Sequence, residues 1–317
     1  MKLIIQIPCF NEEKTLPEAF RDLPKKIAGI DEIEVLVVND GSTDATVEIA
    51  RGLGVRHIVD LPVNRGLAEA FRRGLDSSVE AGADIIVNID GDNQYSGADI
   101  PKLIEPILEG KAEMVIGCRD IASISHFSPV KKWLQGIGSS VVRKFSKTDI
   151  PDTTSGFRAY SRDAAMRLNI FSNYTYTIES IIQAGLKELP ITYVNISTNA
   201  KLRESRLIKS VPSYIKRSVV TMLRIYMMYE PLKSFVKLSL IPIFAGLFLV
   251  ARFLAAHFTR HQGGHVQSLI IASACLITGF MIIMIGLLGD IMSANRKLNE
   301  EILYRLKKNF YDKKKKG

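Results

Sequence analysis

The sequence from residue 83 reads Ala83-Asp84-Ile85-Ile86-Val87-Asn88-Ile89-Asp90-Gly91-Asp92, an apolar run that ends in two carboxylates. The run predicts a buried strand, and the two carboxylates just beyond it can share one divalent cation. Hard oxygen ligands suit Mg²⁺ or Mn²⁺, ions that usually sit on substrate phosphates. Asp-Gly is also ordinary turn chemistry, so this pattern alone is weak. A second acidic strand end upstream, Val37-Val38-Asn39-Asp40-Gly41-Ser42, makes it stronger.

Short apolar runs alternate with amphipathic stretches over the first 118 residues. They predict strands at 3–7, 33–39, 55–61, 83–89 and 112–117, and helices at 13–26, 44–53, 66–81 and 99–109. Such alternation is typical of a mostly parallel sheet covered by helices on both faces. Ligands bind these sheets outside the carboxyl ends of the strands. We therefore expect residues 8–12, 39–42 and 90–94 to share one rim, with Pro8 ending the first strand.

The pattern loosens after residue 120. Helical spacing predicts helices at 130–145, 161–168 and 177–188, and a last strand is expected at 191–197.

Two long apolar segments lie near the C-terminus. Leu238 to Ala256 contains a single charge, Arg252, and Ser268 to Gly289 contains none. Each is long enough to cross a hydrocarbon core of about 30 Å. A soluble core helix rarely stays apolar on every face for so long, so we predict two membrane spans. A buried helical hairpin is the alternative.

The net charge of +9 is concentrated in two blocks that flank the apolar pair. Residues 201–224 and 302–317 each carry seven basic side chains against one acidic side chain, whereas the connecting loop 257–265 has only Arg260. The positive-inside rule then places both flanks in the cytoplasm. Basic flanks also attract anionic membrane lipids, which accounts for the charge without nucleic acid as a partner. Three scattered cysteines, without metal-ligand spacing, fit a reduced cytoplasmic setting.

Apolar residues at helical spacing alternate with Lys and Arg just before the first apolar segment. Residues 205–234 therefore predict juxtamembrane amphipathic helices lying in the interface. A helix that packs on the core of the soluble domain is the alternative. Residues 293–317 predict a basic cytoplasmic C-terminal helix or tail. A solvated face, a subunit contact and a catalytic role are the alternatives for it.

Five motifs, in this order and spacing, resemble glycosyltransferases of family 2. They are Ile7-Pro8-Cys9-Phe10-Asn11-Glu12-Glu13, Val38-Asn39-Asp40-Gly41-Ser42-Thr43-Asp44, Asn64-Arg65-Gly66, Asp90-Gly91-Asp92-Asn93-Gln94 and Asp152-Thr153-Thr154-Ser155-Gly156-Phe157-Arg158. Within that family the chain is similar to the polyprenyl-phosphate glycosyltransferases, such as dolichyl-phosphate mannose synthase, over about residues 1–210.

The resemblance implies an α/β fold in four parts. Residues 1–204 form a GT-A nucleotide-sugar-binding catalytic domain with a mostly parallel sheet. The amphipathic helices at 205–234 follow, then two transmembrane helices within 235–292, at about 238–256 and 267–289. Residues 293–317 form the basic tail. The protein is then an integral membrane protein whose catalytic domain and tail face the cytoplasm.

The resemblance also implies roles for single residues. It assigns the nucleoside to Pro8, Asn11, Glu12, Asp40 and Asp90, although turn and helix-cap chemistry is the alternative for part of that set. The cation, Mg²⁺ or Mn²⁺, falls to Asp90, Asp92 and Gln94. The catalytic set comprises Asp92, Asp90, Arg119 and Arg203, with Arg119 placed to meet a phosphate. A salt bridge to Asp120 or to another neighbour is the alternative for Arg119.

The acceptor side matches the family less well. Relatives carry a Gly-x-Ser-Lys element after the last strand, and residues 201–206 lack its glycine and have arginine for lysine. Arginine is a better bidentate phosphate ligand, so Ser155, Arg203, Ser205 and Arg206 are assigned to the acceptor phosphate. Attraction to lipid headgroups is the alternative for Arg206. Glu179 is a candidate for orienting the sugar or the acceptor, with a structural helix carboxylate as the simpler interpretation. Gly156 either helps to shape the acceptor pocket or is needed only for its backbone conformation.

These assignments predict an inverting, metal-dependent hexosyltransferase. It would move one hexosyl unit from a UDP- or GDP-sugar to dolichyl or undecaprenyl phosphate at the cytoplasmic membrane face, and its apolar hairpin is compatible with a homo-oligomer. A polysaccharide or glycolipid synthase that uses a hydroxyl acceptor is one alternative, although the Gln-x-x-Arg-Trp element of processive synthases is absent. A catalytically silent nucleotide-sugar-binding membrane scaffold is another. The sugar, the base and the polyprenol are not identified by the sequence.

Overall fold

The computed structural model describes residues 1–119, 139–140, 142–143, 145–146, 148–172, 176–199, 219–220, 223–260 and 266–316. The chain forms two compact units. The first comprises Met1–Met222 together with Glu301–Gly317, and the second comprises Leu223–Glu300.

A seven-stranded, mostly parallel sheet forms the centre of the first unit. Its strands are β1 (Lys2–Cys9), β2 (Glu32–Asp40), β3 (His57–Leu61), β4 (Ile85–Asn88), β5 (Met114–Arg119), β6 (Arg158–Ser161) and β7 (Ile191–Ile196), in the order β3-β2-β1-β4-β6-β5-β7. Only β6 runs antiparallel to its neighbours, β4 and β5. The mostly parallel sheet confirms the predicted fold class. Pro8 does not end β1 as predicted, because the strand continues to Cys9.

The antiparallel strand β6 was not predicted, since a helix was expected from residue 161. Four residues, Arg-Ala-Tyr-Ser, are too few to show the alternation by which strands are recognised. Register pairs Asn88 with Arg158, so β6 begins where β4 ends. The preceding loop at 152–157 therefore lies at the rim formed by the carboxyl ends of the parallel strands.

Six helices of the described chain surround the sheet in the first unit: α1 (Leu16–Arg21), α2 (Thr46–Gly52), α3 (Leu67–Glu80), α4 (Ile100–Leu108), α5 (Arg162–Arg167) and α6 (Thr177–Leu186). The first is shorter than the predicted 13–26. Pro24 restricts the residue before it to extended backbone, so the helix has ended by then. The core is built on β1, where Leu3, Ile5 and Ile7 are fully buried.

The second unit is a hairpin of two long helices, α7 (Pro231–Arg260) and the part of α8 (Val266–Lys316) that ends at Glu300. Both are long and apolar enough to cross a membrane, and the predicted spans at 238–256 and 267–289 lie inside them. Large apolar side chains point outward, with Phe248 69% and Ile270 63% exposed, which is not the pattern of a buried hairpin.

Glycines allow the two helices of the hairpin to pack closely. A Cβ atom on Gly279 would lie 2.5 Å from Ile243 Cγ1, and one on Gly246 would lie 2.8 Å from Leu276 Cγ. Small residues at helix contacts are typical of packing in membranes. More than half of the predicted juxtamembrane helices at 205–234, namely residues 205–218 and 221–222, lies outside the described residues.

Candidate active site

The polar strand ends converge on one rim of the sheet, as the sequence predicted. Asp90 and Asp92 follow β4, Asp40 ends β2, and Glu12 follows β1. The loop after β4 packs against the end of β1: a Cβ on Gly91 would lie 3.1 Å from Cys9 Sγ and 3.6 Å from Glu12 Cγ. Sheet topology therefore places four carboxylates in one neighbourhood.

Asp90 and Asp92 are neighbouring like charges. Burial, and next the negative charge of Asp92, raise the pKa of Asp90 to about 7, while the positive charges of Arg119 and Arg158 oppose the rise. Two carboxylates held together against repulsion fit a divalent cation, which would favour their ionised forms. The charge distribution here is therefore the one that a metal site needs.

Gln94 is tied to Asp92. Its side-chain Nε2 donates to Asp92 Oδ2 at 2.8 Å and its backbone N–H donates to Asp92 Oδ1 at 3.2 Å. Asn93 between them has a left-handed φ of 56°. No group of three or more His, Cys, Asp or Glu that could hold a metal occurs among the described residues. The chain thus offers two carboxylates and an amide, and Mg²⁺ ordinarily completes such a shell with water and substrate phosphates.

Arg119 ends β5 and is held by the loop at 152–156. Its Nε donates to Asp152 Oδ2 at 2.7 Å, and its second nitrogen, Nη2, donates to Thr154 Oγ1 at 2.9 Å. The guanidinium also lies 5.9 Å from the ring centroid of Tyr95. Burial would lower the pKa of Arg119, but Tyr95, Asp152 and Asp90 outweigh it, so the group stays cationic. The ion-pair partner is Asp152, and Asp120 lies outside the described residues.

Gly156 lies directly against the Asp90 carboxylate. A Cβ atom there would lie 2.9 Å from Asp90 Oδ2 and 3.0 Å from the hydroxyl of Tyr176. Its φ is not in the left-handed region, so the residue is needed for its lack of a side chain and not for its backbone conformation. Ser155 beside it is fully buried, and its hydroxyl accepts the N–H of Phe157 at 3.3 Å.

The nucleoside candidates organise the turns of the rim. Asp40 is buried, and its two oxygens accept the backbone N–H groups of Arg65 at 2.7 Å and Gly66 at 2.9 Å. Burial raises the pKa of Asp40, and these two hydrogen bonds partly offset the rise. Asn11 has a φ of 56°, and its Oδ1 accepts the N–H of Thr43 at 2.8 Å.

The remaining two nucleoside candidates are also enclosed by the first two strands. Glu12 is 5% exposed, and its Oε2 accepts the hydroxyl of Thr15 at 2.7 Å. Pro8 is buried inside β1, opposite Val38. Turn chemistry therefore accounts for part of what Asn11 and Glu12 do.

A buried polar network beneath Asp90 was missed by the sequence analysis. Asn88 Nδ2 donates to Gly156 O at 2.8 Å and to the Tyr176 hydroxyl at 2.9 Å, and Gln6 Nε2 donates to Asn88 Oδ1 at 2.8 Å. Tyr176 stacks on Phe71 with ring centroids 3.8 Å apart. One signal was present: Asn88 is a polar residue in an otherwise apolar strand.

The acceptor candidates are divided. Arg203, Ser205 and Arg206 lie outside the described residues. Glu179 is 2% exposed, and its two carboxylate oxygens accept the N–H groups of Phe171 at 3.0 Å and Ser172 at 2.9 Å. These contacts are those of a structural helix carboxylate, the simpler of the two roles predicted for Glu179.

Comparison with known proteins places the fold and the family. In solved structures the chain is similar to glucosyl-3-phosphoglycerate synthase from Mycobacterium tuberculosis in complex with Mn²⁺, UDP-glucose and phosphoglyceric acid. The TM-score is 0.58 at 23% identity, over 71% of this chain and 79% of the other. This likeness supports the GT-A fold.

Sequence relatives include two enzymes that match this chain over most of their own length. The undecaprenyl-phosphate mannosyltransferase of Micrococcus luteus is 26% identical over 61% of this chain and 84% of its own. The UDP-N-acetylglucosamine–dolichyl-phosphate N-acetylglucosaminyltransferase of Methanococcus voltae is 29% identical over 61% of this chain and 83% of its own.

The profile of "Glycosyl transferase family 2" matches residues 4–168, a range that runs from within β1 through β6 and includes Asp90 and Asp92. More than half of the chain is thereby covered, and the chain belongs to glycosyl transferase family 2.

Proposed function

We propose that this chain is a membrane-anchored, inverting hexosyltransferase. It would transfer one hexosyl unit from a UDP- or GDP-sugar to a polyprenyl phosphate, dolichyl or undecaprenyl, at the cytoplasmic membrane face. The observation that carries the proposal is the rim itself. There the like-charged pair Asp90 and Asp92 lies beside the cationic Arg119, in a chain that also has a hairpin of membrane-spanning length.

The donor diphosphate is negatively charged, so its binding site must supply positive charge. Asp90, Asp92 and Gln94 would hold Mg²⁺ or Mn²⁺, which when bound neutralises the charge that develops on the leaving nucleoside diphosphate. Asn11, Glu12, Asp40 and the end of β1 at Pro8 would position the nucleoside. Asp40 would act by fixing the loop at 64–66, since both of its oxygens bind that loop.

A polyprenyl phosphate acceptor simplifies the chemistry. A phosphate monoester is already anionic at pH 7, so the site must supply cationic groups and alignment and no general base. A phosphate oxygen attacks the anomeric carbon and forms the new C–O bond. The bond to the nucleoside diphosphate breaks on the opposite face, and its electron pair leaves with that group. The configuration inverts.

Arg119 would meet a phosphate, because it is a cation among the described residues of this rim. The resemblance adds Arg203, Ser205 and Arg206 for the acceptor phosphate. Ser155 would act through the shape of its loop, because its side chain is buried. The hairpin and the basic flanks would keep the domain at the depth of the lipid phosphates. The two relatives transfer different sugars, according to their names, so the donor has to be measured.

The test uses the full chain purified in detergent. It is incubated with Mn²⁺ or Mg²⁺, a short-chain polyprenyl phosphate and a panel of labelled UDP- and GDP-sugars. We expect label to enter the organic phase with one donor, and to be lost on chelation or in Asp92→Ala. Asp31→Ala is the matched control, since Asp31 is 88% exposed beside the N-terminus and should leave transfer unchanged.

Two results would contradict the proposal. If nucleotide sugars bind but no donor labels the lipid, the acceptor assignment fails and hydroxyl acceptors are tested next. If neither transfer nor hydrolysis occurs with any donor, the chain is a nucleotide-sugar-binding scaffold. The membrane face is tested in sealed vesicles, where added donor should react only when the cytoplasmic side faces outward.

A further inference from the structure

Arg158 is a fully buried arginine, and none of its hydrogen-bond partners among the described residues is a carboxylate. Its Nε donates to Ser155 O at 2.7 Å, Nη1 to Thr177 O at 2.8 Å and to Ser180 Oγ at 2.6 Å, and Nη2 to Thr153 O at 3.1 Å. Burying a charge among neutral acceptors is costly, and an apolar side chain of similar volume would fill the space without that cost. Packing alone therefore does not explain why an arginine stands here.

The partners of Arg158 belong to the loop that also holds Arg119. Arg158 binds the carbonyls of Thr153 and Ser155, whereas Arg119 binds the side chains of Asp152 and Thr154. Alternate residues of the loop at 152–155 thus face two different guanidinium groups. Because one guanidinium binds four acceptors in a fixed planar arrangement, it fixes the loop more tightly than separate neutral contacts would.

The same loop continues into Gly156, which lies against the Asp90 carboxylate. Gly156 N–H donates to the Tyr95 hydroxyl at 3.0 Å, and Gly156 O accepts from Asn88 Nδ2 at 2.8 Å. Any side chain at Gly156 would touch the Asp90 carboxylate. A shift of the loop would therefore move both the partner of Arg119 and the surface on which Asp90 rests.

We propose that Arg158 is a positioning residue for glycosyl transfer. Its buried guanidinium sets the loop at 152–156 and, through that loop, the relative positions of Asp90 and Arg119. This inference rests on the proposed function for its kinetic consequence, while its structural part can be measured without any substrate. Arg158 itself is enclosed and does not touch the reactants.

The kinetic test compares Arg158→Met with Arg158→Lys. Methionine keeps much of the length without hydrogen bonds, whereas lysine keeps the charge but loses the planar set of donors. We expect kcat to fall about 100-fold in Arg158→Met, the size of effect that follows a displacement of about 1 Å in a reacting group. KM for the nucleotide sugar should stay within about threefold because the turns around Asp40 are unchanged, and Arg158→Lys should recover part of kcat.

Arg162 supplies a matched control at the other end of β6. Its Nη1 also donates to backbone carbonyls, Val79 O at 3.3 Å and Ala83 O at 3.2 Å, but these lie away from the rim. Arg162→Met should lower thermal stability without changing kcat of the folded protein. If kcat is unchanged in folded Arg158→Met, or falls equally in both variants, the positioning role is wrong.

A second measurement separates this proposal from the proposed function. Hydrogen–deuterium exchange of the peptide that contains residues 152–157 should be at least about tenfold faster in Arg158→Met than in wild type, and unchanged in Arg162→Met. If wild type shows no transfer, the proposed function fails while exchange still tests the loop. If exchange is unaltered in Arg158→Met, the positioning proposal fails whatever the activity. Should Arg158→Met not fold, both measurements are made on Arg158→Lys, which must show the same changes at smaller size.

Discussion

The rim and the surface against which the end of α8 packs both contain aspartates near basic residues, but the pKa of the aspartate is raised at the rim and lowered at the other surface. At the rim, burial and the like charge of Asp92 raise the pKa of Asp90 to about 7. The other surface, the docking patch, consists of Asp76 of α3 and Asp163 and Arg167 of α5 against Tyr304, Lys307 and Lys308 of α8. Burial would raise the pKa of Asp163, but hydrogen bonds from Tyr304 and Arg167 and nearby positive charges outweigh it and lower the pKa.

Each charged side chain of the docking patch has an oppositely charged partner within the patch. The Tyr304 hydroxyl donates to Asp163, the Arg167 guanidinium lies 4.1 Å from the Tyr304 ring centroid, and Lys307 Nζ lies 2.7 Å from Asp76 Oδ1. Paired charges with a lowered acid pKa stabilise the fold, whereas a pKa raised by burial and a neighbouring like charge is common at functional sites. The two surfaces should therefore respond differently to mutation: the rim in activity, the docking patch in stability.

The largest effect is expected at the rim from Gly156→Ala. The new methyl group would lie 2.9–3.0 Å from the Asp90 carboxylate oxygens and the Tyr176 hydroxyl, so Asp90 or the loop must shift. We expect transfer activity to fall by about 100-fold or more, as for other small displacements of reacting groups. The measurement is kcat/KM in the polyprenyl phosphate assay. Gly52→Ala is the control, because a Cβ there meets nothing within 4 Å, and a Gly156→Ala enzyme as active as that control would contradict the proposed contact.

The next effect concerns pH at the same rim. Because the pKa of Asp90 is raised to about 7, a cation must displace its proton at lower pH. Mn²⁺ affinity of the metal-free protein should rise about tenfold from pH 6 to pH 8, the change expected for one group titrating near 7. The free energy of unfolding of the metal-free protein has the opposite pH dependence. Ionising the buried Asp90 costs stability, so the contribution of Asp90 to the free energy of unfolding declines as pH rises from the ordinary aspartate pKa toward 7.

Isothermal titration with Mn²⁺ at several pH values measures this dependence. In Asp92→Asn the like charge is removed, so the pKa of Asp90 should fall and the pH dependence should move to lower pH. Equal Mn²⁺ affinity of the wild-type protein at pH 6 and pH 8 would mean that Asp90 does not bind the ion.

Sequence reasoning reached the rim but missed the contacts that support it. Strand ends carry polar residues within a few positions of an apolar run, so Asp40, Asp90 and Asp92 could be placed from local pattern and the rule for parallel sheets. The partners of Arg119 and the C-terminal segment are set by tertiary packing. Asp152 lies 33 residues from Arg119, and Lys307 lies 231 residues from its partner Asp76. The periodic patterns that reveal helices and strands do not show contacts between residues so far apart in the sequence.

The C-terminal segment illustrates the limit most clearly. Its basic residues predict a cytoplasmic helix or tail with a solvated face or a subunit contact, and the basic run does continue as helix to Lys316. The structure assigns Glu301–Gly317 to the first unit, together with the sheet, and Tyr304 is only 7% exposed. Charge density predicted attraction to lipid, but it could not show which carboxylates of the folded domain compete for the same lysines.

A moderate effect on stability is expected in the docking patch from Tyr304→Phe. The variant loses the hydrogen bond that Tyr304 donates to the Asp163 carboxylate and the one that it accepts from Lys308 Nζ, which should lower the free energy of unfolding by about 1–2 kcal/mol. The loss should be present above the ordinary pKa of aspartate and fade as pH falls through the lowered pKa of Asp163, where the carboxylate is protonated. Thermal unfolding in detergent measures it, with Tyr193→Phe as the control because Tyr193 is 42% exposed. Equal stability of both variants, or lost activity in folded Tyr304→Phe, would erase the distinction between patch and rim.

The smallest effect is expected from Lys307→Ala. The ion pair with Asp76 is partly exposed, with side chains 21% and 36% accessible, so its net contribution should be about 0.5 kcal/mol and should shrink in high salt. Lys111→Ala is the matched control, since its pair with Glu109 is 71% and 46% exposed and should contribute less. Melting temperatures at low and high salt separate the two pairs. A salt-insensitive loss would mean that the aliphatic stem of Lys307 contributes by packing, whereas a change in kcat at constant stability would show that the C-terminal segment acts on the rim and not only on the fold.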